Sequence, residues 1–212
     1  MEFIRNNKIY AGIGTRDCPE RIYNIFFEIG KILAYKGYTL RSGGARGSDE
    51  AFERGCDLHN GKKEIYLPYE NFNNSESTLF RYNDDVDRKS EQLSEFYHTN
   101  YGALPFKNRC YIKRNNYQVL GHDLETPADF VIGYTRANSG TNYTFRVARN
   151  NNVPVCNLGR DRTRNKRYFL DVLQIVKKDD LEEAYINLKL LLKHDFNIEN
   201  FRKNFQILKG GC

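Results

Sequence analysis

Three glycine-rich turns contain the residue types that proteins use to hold a phosphate group. They lie at residues 12–16 (Gly-Ile-Gly-Thr-Arg), 42–49 (Ser-Gly-Gly-Ala-Arg-Gly-Ser-Asp) and 139–141 (Ser-Gly-Thr). Glycine lets the backbone approach a ligand closely, and the N–H groups at the start of a following helix attract an anion. Side chains beside the turns could add further donors, namely Thr15, Arg16, Ser42, Arg46 and Thr141. The turns therefore predict a site for a nucleotide or another phosphate-bearing ligand.

Each turn follows a short apolar segment that is typical of a buried parallel strand. These segments are residues 8–13, 38–41 and 129–134. The carboxyl ends of parallel strands meet at one edge of a sheet, and ligands bind in the crevice there. A single glycine-rich turn is more often only a turn, so it is the coincidence of three turns at one edge that predicts a site.

The apolar residues recur in a pattern that predicts alternating strands and helices. Two further strands are expected at 64–67 and 153–157. Helical spacing with start and stop signals predicts the helices, at 19–37, 49–57, 86–97, 107–120 and 140–150. Because each strand–helix–strand unit needs a crossover, the pattern predicts an α/β, Rossmann-like three-layer fold with a parallel sheet of about five strands.

Two parts of the chain depart from this alternation. Residues 71–105 are polar and predict an insertion, or a lid, that contains the charged helix at 86–97. Residues 161–212 predict C-terminal amphipathic helices, an appendage that packs on the same domain. The body, residues 1–160, is expected to be one domain, because 212 residues of which 40% are hydrophobic suffice for one sizeable core.

The composition excludes several classes of protein. No segment approaches the roughly 18 consecutive apolar residues of a membrane span, so we expect a soluble, cytoplasmic protein. Five scattered cysteines without a CxxC pair and four dispersed histidines indicate neither a disulfide framework nor a metal site. The net charge of +6 suits an anionic partner, but a mixed, solvated surface is the simpler explanation.

Two common nucleotide-binding motifs are missing from the sequence. No third glycine follows Gly12 and Gly14 at the spacing of the dinucleotide fingerprint G-x-G-x-x-G. No G-x-x-x-x-G-K-[ST] segment occurs either. NAD-dependent dehydrogenases and P-loop NTPases are therefore disfavoured, and no cofactor is expected.

The turns, taken together, resemble those of a known family. Residues 42–49 resemble the S-G-x-A-x-G-x-D signature of the DprA-like (DNA-processing A) proteins, which belong to the SLOG superfamily. Arg114-Asn115 resembles the Arg-Asn pair of that family, and residues 139–144 resemble its S-G-x-x-x-T-A turn. The likeness covers roughly residues 8–160, and short proteins of this kind are common in bacteriophage genomes.

Residues 12–16 resemble the first-strand turn of the family. The resemblance therefore implies a set of ligand-binding residues in the three turns and around the Arg-Asn pair. The set is Gly12, Gly14, Thr15, Arg16, Ser42, Gly43, Gly44, Ala45, Gly47, Asp49, Arg114, Asn115, Thr135, Ser139, Gly140, Thr141 and Thr144. Arg16 and Arg114 would neutralise phosphate charge, and Asn115 would hydrogen-bond the ligand. Thr141 and Thr144 would donate hydroxyl groups.

A more distant resemblance is to the Lonely Guy enzymes, which carry P-G-G-x-G-T-x-x-E and use the glutamate to cleave the N-glycosidic bond of a nucleotide. Here Thr144 stands at the glutamate position, and a hydroxyl cannot stabilise an oxocarbenium ion as a carboxylate can. Hydrolysis would need Asp49 or Glu53 instead, although Asp49 is equally typical of a helix start. No catalytic residue is therefore predicted.

Three functions remain open at this stage. The first expectation is a homodimer, or a higher homo-oligomer, that senses or sequesters a nucleotide or a nucleotide-derived signal; in a phage-infected cell, sequestering a host defence signal would be a natural use. For this function, a bulky residue at Gly44 or Gly140 is expected to abolish binding and nearly preserve thermal stability.

The second possible function is single-stranded DNA binding in recombination, as in DprA-like proteins. A basic and aromatic helix face could serve it, with Lys107, Arg109, Tyr111, Lys113, Arg114 and Tyr117. The simpler alternative on a helix is that the tyrosines are half buried and the basic residues are only solvated. The third is an N-glycosidase that acts on nucleoside monophosphates.

Overall fold

The computed structural model describes residues 7–136 and 139–159. The strands are β1 (Ile9–Gly14), β2 (Thr39–Ser42), β3 (Lys63–Ile65), β4 (Phe130–Tyr134) and β5 (Val155–Asn157). The helices are α1 (Glu20–Tyr35), α2 (Ser48–Asp57), α3 (Asp84–Tyr97), α4 (Phe106–Leu120) and α5 (Gly140–Asn150). Two short 3-10 helices, Phe72–Asn74 and Tyr101–Ala103, flank α3.

The five strands form one parallel sheet in the order β3-β2-β1-β4-β5. Along β1 the side chains alternate between its faces, as the pleat of a strand requires. Tyr10 packs in the apolar cluster that contains α1 and α2, whereas Ala11 and Ile13 pack in the cluster that contains α4 and α5. The expected Rossmann-like three-layer fold with five parallel strands is therefore confirmed.

The segment 71–105 is attached to the helix layer on one face of the sheet through α3. Asn116 Nδ2 of α4 donates to Ser90 O (2.9 Å) and to Ser94 Oγ (3.0 Å), and Tyr143 OH of α5 donates to Asn116 Oδ1 (2.6 Å). These buried polar contacts join three helices. Residues 71–105 thus form part of the body in this structure, and their role as a lid stays a prediction.

The observed bounds differ from the predicted ones by a few residues, for local reasons. Helix α3 begins at Asp84, two residues before the predicted start, because the Asn83 side chain accepts a hydrogen bond from the Val86 N–H (2.8 Å) and caps the helix. Strand β5 begins at Val155, since Pro154 before it has no N–H to donate.

Several predictions concern residues outside the described ranges. The C-terminal appendage at 161–212 lies entirely outside them, and so does Cys212. Within the described ranges, the four cysteines are free, and no group of three or more histidine, cysteine or acidic side chains could hold a metal ion. No described helix is long and apolar enough to cross a membrane.

Candidate functional site

A cleft opens where the strand order reverses, between β1 and β4. These strands are neighbours, with Gly14 paired to Tyr134 at their carboxyl ends, but the chain leaves them toward helices on opposite faces of the sheet. This is the topological switch point, where α/β sheets bind ligands. The cleft has a volume of about 350 Å³, within the range of about 300–1,000 Å³ that is usual for small-molecule sites.

Most of the predicted site residues come together around this cleft. They are Gly14, Thr15, Arg16, Ala45, Asp49, Arg114, Asn115, Ser139, Gly140, Thr141 and Thr144. The three turns therefore converge with the Arg-Asn pair of α4 on one volume. Whether these residues bind a ligand stays a prediction.

Three predicted residues lie behind the cleft wall and hold the scaffold. A Cβ on Gly12 would lie 2.6 Å from Phe52 Cγ, so this glycine makes room for α2 to pack on the sheet. Ser42 Oγ donates to Gly12 O at 2.8 Å and ties β2 to β1. The Thr135 N–H donates to Asn157 Oδ1 at 3.0 Å beneath the third turn. None of the three side chains lines the cleft.

The glycines of the second turn shape the backbone rather than the cleft surface. A Cβ on Gly43 would overlap Arg114 Nη1, so the missing side chain is what allows the guanidinium to lie there. Gly44 and Gly47 have φ values of 63° and 81°, in the left-handed region that favours glycine. A Cβ on Gly44 would also lie 2.9 Å from Leu67 Cδ2.

The expectation that Gly44 can be replaced without loss of stability is therefore wrong. We predict that Gly44→Ala lowers the free energy of unfolding by about 1–3 kcal/mol, because alanine is strained at positive φ and its Cβ crowds Leu67. Gly102→Ala is the control, since a Cβ there meets nothing within 4 Å and its φ is ordinary. Urea denaturation measures the stability of both variants. Equal unfolding midpoints for Gly44→Ala and Gly102→Ala would contradict this role of Gly44.

Arg114 and Asp49 form a buried ion pair in the cleft wall. Their side chains are only 8% and 4% exposed, and Arg114 Nη1 lies 3.4 Å from Asp49 Oδ2. The same oxygen accepts the Ala45 N–H at 3.4 Å. Burial raises the pKa of Asp49, whereas Arg114 and the N–H groups of Ala45 and Gly14 lower it. For Arg114 the directions are opposite: burial lowers the pKa of the guanidinium, and the charge of Asp49 raises it.

The guanidinium of Arg114 is poorly satisfied for a buried charge. Its Nε atom is buried and has no hydrogen-bond partner among the described residues. The one carboxylate beside it is held at 3.4 Å, which is long for a charge-assisted hydrogen bond. A guanidinium offers five N–H donors and stays protonated. Arg114 can therefore donate to an anion in the cleft.

The N-terminus of α5 forms another part of the cleft wall. The first N–H groups of a helix have no partner within it, and the helix dipole makes this end positive. Asn115 Nδ2 and Thr144 Oγ1 both donate to Gly140 O, at 3.2 and 3.1 Å. Ser139 Oγ lies 3.1 Å from Thr135 Oγ1. These contacts hold the first turn of α5 in place, and they direct the hydroxyl proton of Thr144 to the backbone.

Four cleft residues fall outside the predicted ligand set: Ile13, Asp17, Tyr111 and Gln118. Tyr111 and Gln118 of α4 line the cleft; the first was expected only on a DNA-binding face. The signal for both is helical spacing, since positions 111, 114, 115 and 118 share one side of a helix. The guanidinium of Arg16 lies over the Tyr111 ring, 5.1 Å from its centroid. An aromatic ring and a cation in contact thus form part of the cleft wall.

The carboxylate that hydrolysis would need is not offered freely by Asp49 or Glu53. Asp49 is engaged by Arg114 and the Ala45 N–H. Glu53 does not line the cleft, and its Oε1 is buried without a hydrogen-bond partner among the described residues. Burial, and then the charge of Asp49, raise the pKa of Glu53 to about 7.

This raised pKa predicts a pH-dependent stability. Between pH 4.5 and 7, folded Glu53 keeps a proton that the unfolded chain releases, so this group destabilises the fold as pH rises through that window. The stability of Glu53→Gln relative to wild type is expected to increase from about pH 5 to pH 8, by up to about 3 kcal/mol. Chemical denaturation across this range measures it. A difference that is constant with pH would refute the assignment.

The basic and aromatic residues of α4 do not form one exposed face. Tyr117 is fully buried, with its ring stacked on Tyr82 at 3.7 Å between centroids. Lys113 Nζ donates to Asp87 at 2.6 Å, and Arg114 is buried beside the cleft. The predicted six-residue DNA-binding face is therefore wrong as a surface, while single-stranded DNA binding itself stays a prediction.

Comparisons with known proteins give little beyond the geometry. No family model and no solved structure matches the chain. A stretch of 56 residues is 36% identical to an uncharacterized protein of Archaeoglobus fulgidus. That match covers 26% of this chain and 37% of the length of that protein.

Proposed function

We propose that the cleft binds a nucleotide, or a small signal derived from one, and that the protein senses or sequesters this ligand without converting it. The observation that carries the proposal is the buried guanidinium of Arg114, which lines the same cleft as the N-terminus of α5 and whose Nε has no hydrogen-bond partner among the described residues. A buried charge without enough hydrogen bonds is costly. A phosphate oxygen supplies the missing acceptor.

The N-terminus of α5 supports a phosphate rather than a neutral group. The carboxylates of Asp49 and Asp17 offset the charges of Arg114 and Arg16 in the cleft lining, so the positive potential there comes from this helix end. The first N–H groups of α5 point along the helix axis toward the ligand, as in other phosphate sites. The hydroxyls of Thr15 and Thr141 lie on the same cleft surface and offer further hydrogen bonds.

The other end of the cleft suits a base. The ring of Tyr111 and the guanidinium of Arg16 are flat, polarisable surfaces on which a nucleobase stacks. Gln118 places an amide, which can both donate and accept, in the same cleft. A phosphate-binding end and a base-binding end in one cleft together favour a nucleotide over inorganic phosphate.

Binding without conversion is supported by the surroundings of the carboxylates. Asp49 is paired with Arg114, and the position that carries glutamate in the Lonely Guy enzymes holds Thr144, which donates to Gly140 O. The resemblance to the SLOG superfamily adds two elements to the proposal. The protein acts as a homodimer in the cytoplasm, and in a phage-infected cell its ligand is a host defence signal.

Mass spectrometry of the small molecules released by denaturing the purified protein tests this function. We expect a phosphorylated nucleoside in about one equivalent to the protein, or tight binding of one member of a nucleotide panel in titration calorimetry. Free base or nucleoside formed from an added nucleotide would contradict binding without conversion. Affinity for oligothymidine alone, falling roughly tenfold per phosphate contact for each tenfold rise in salt, would favour the DNA-binding alternative.

A further inference from the structure

A second cavity lies on the other side of the N-terminus of α5. Its volume is about 340 Å³, close to that of the main cleft. Ser139 and Gly140 line both cavities, so among the described residues the two cavities meet at the start of α5. The remaining wall comes from α4, α5 and the end of α3: His98, Thr99, Ile112, Asn142, Tyr143 and Arg146.

Gly140, which lies between the cavities, is not required by the fold. Its φ is outside the left-handed region, and a Cβ there would meet only Asn115 Nδ2, at an ordinary 3.6 Å. Glycine nevertheless weakens a helix relative to alanine. A side chain is therefore missing at a residue that lines both cavities.

We infer that the ligand of the proposed function is a dinucleotide, with two nucleoside ends joined by a phosphate linker that lies over Gly140. One nucleoside occupies the cleft beside Tyr111, and the other occupies the cavity beside Arg146. The linker then sits at the positive end of α5, in the cleft that Arg114 also lines. This inference rests on the proposed function.

The second cavity has the character of a nucleoside subsite. Arg146 Nη1 donates to Tyr97 O at 2.5 Å, which fixes the guanidinium at the rim while its other N–H groups face solvent. The rings of His98 and Tyr143 lie 6.2 Å apart in its wall. Aromatic, amide and guanidinium groups are those that stack on a base and hydrogen-bond its edges or a ribose.

Calorimetry with matched ligands tests the inference. The probes are the four nucleoside 5′-monophosphates and the four symmetric dinucleotides in which two of each are joined as a pyrophosphate. For at least one base, the dinucleotide is expected to bind about tenfold or more tightly than its monophosphate, because a second set of contacts forms. An oligothymidine is run beside them, and binding of the oligonucleotide alone would overturn a free dinucleotide as the ligand.

Variants of α5 test whether the higher affinity for the dinucleotide comes from the second cavity. Arg146→Gln is expected to weaken the dinucleotide roughly tenfold and to leave the monophosphate unchanged, since only the dinucleotide reaches this side chain. Arg149→Gln, an exposed arginine one turn further along α5 that lines neither cavity, is the matched control and should change neither affinity.

The outcomes separate the inference from the function on which it rests. A monophosphate that binds as tightly as its dinucleotide, or an Arg146→Gln effect of equal size on both ligands, overturns the inference and leaves the proposed function standing. If none of the eight ligands binds but a cyclic nucleotide does, the inference fails and the proposed function stands; if no nucleotide binds, both fail.

Discussion

Replacing Gly140 with aspartate is expected to abolish nucleotide binding and to leave the stability of the fold unchanged or slightly higher. The carboxylate would stand at the first residue of α5, where the helix dipole favours negative charge by about 0.3–1 kcal/mol. The position has room, since a Cβ meets only Asn115 Nδ2 at 3.6 Å. The same carboxylate would fill the space of the phosphate group and repel its negative charge. We expect a loss of affinity of at least about a hundredfold.

Gly102→Asp is the matched control for this variant. It adds the same charge at a glycine where a Cβ meets nothing within 4 Å and which lines neither cavity. Thermal unfolding and nucleotide titration of both variants separate folding from binding. If Gly140→Asp binds nucleotide as well as wild type does, the N-terminus of α5 is not part of the binding site. If the variant is much less stable than wild type, its loss of binding reflects unfolding rather than the site.

The second large effect is expected at the buried ion pair. Arg114→Met leaves the carboxylate of Asp49 buried beside an apolar side chain, and the loss of one partner from such a pair costs about 3–5 kcal/mol of unfolding free energy. Methionine fills much of the volume of the arginine stem, so the lost charge, rather than a cavity, dominates this effect. Urea denaturation measures it.

The double variant Asp49→Asn with Arg114→Met is expected to regain most of that stability. Asparagine can still accept the Ala45 N–H through its carbonyl oxygen, and no unpaired charge remains. Nucleotide binding should nevertheless stay lost in the double variant, because the donor to phosphate is gone. A double variant that folds stably and binds a nucleotide like wild type would show that Arg114 is structural only.

The sheet and its helices could be predicted because they follow local patterns. The first two strands have apolar runs that end at glycine-rich turns, and α1 has isoleucine and phenylalanine at helical spacing up to Gly37, whose φ is 76°. The convergence of the three turns followed from the parallel sheet alone, since all its strands end at one edge. These features need no knowledge of tertiary contacts.

The roles of individual turn residues could not be predicted, because they depend on what packs against them. Gly12 accommodates Phe52, and Gly43 accommodates Arg114; the partners are 40 and 71 positions away in the sequence. Tyr117 looked like an exposed aromatic residue, but Tyr82 from the polar segment stacks on it. Sequence spacing gives the face of a helix, and it does not say which face another element covers.

Thermal shift with nucleotides and their parent nucleosides tests whether the cleft binds phosphate. The panel holds mono-, di- and cyclic nucleotides, each beside the nucleoside without phosphate, and wild type is compared with Gly140→Asp. We expect that at least one nucleotide raises the melting temperature of wild type, that its nucleoside does not, and that Gly140→Asp shows no rise. Equal stabilisation by nucleotide and nucleoside, or none by any nucleotide, would contradict a phosphate-binding site in this cleft.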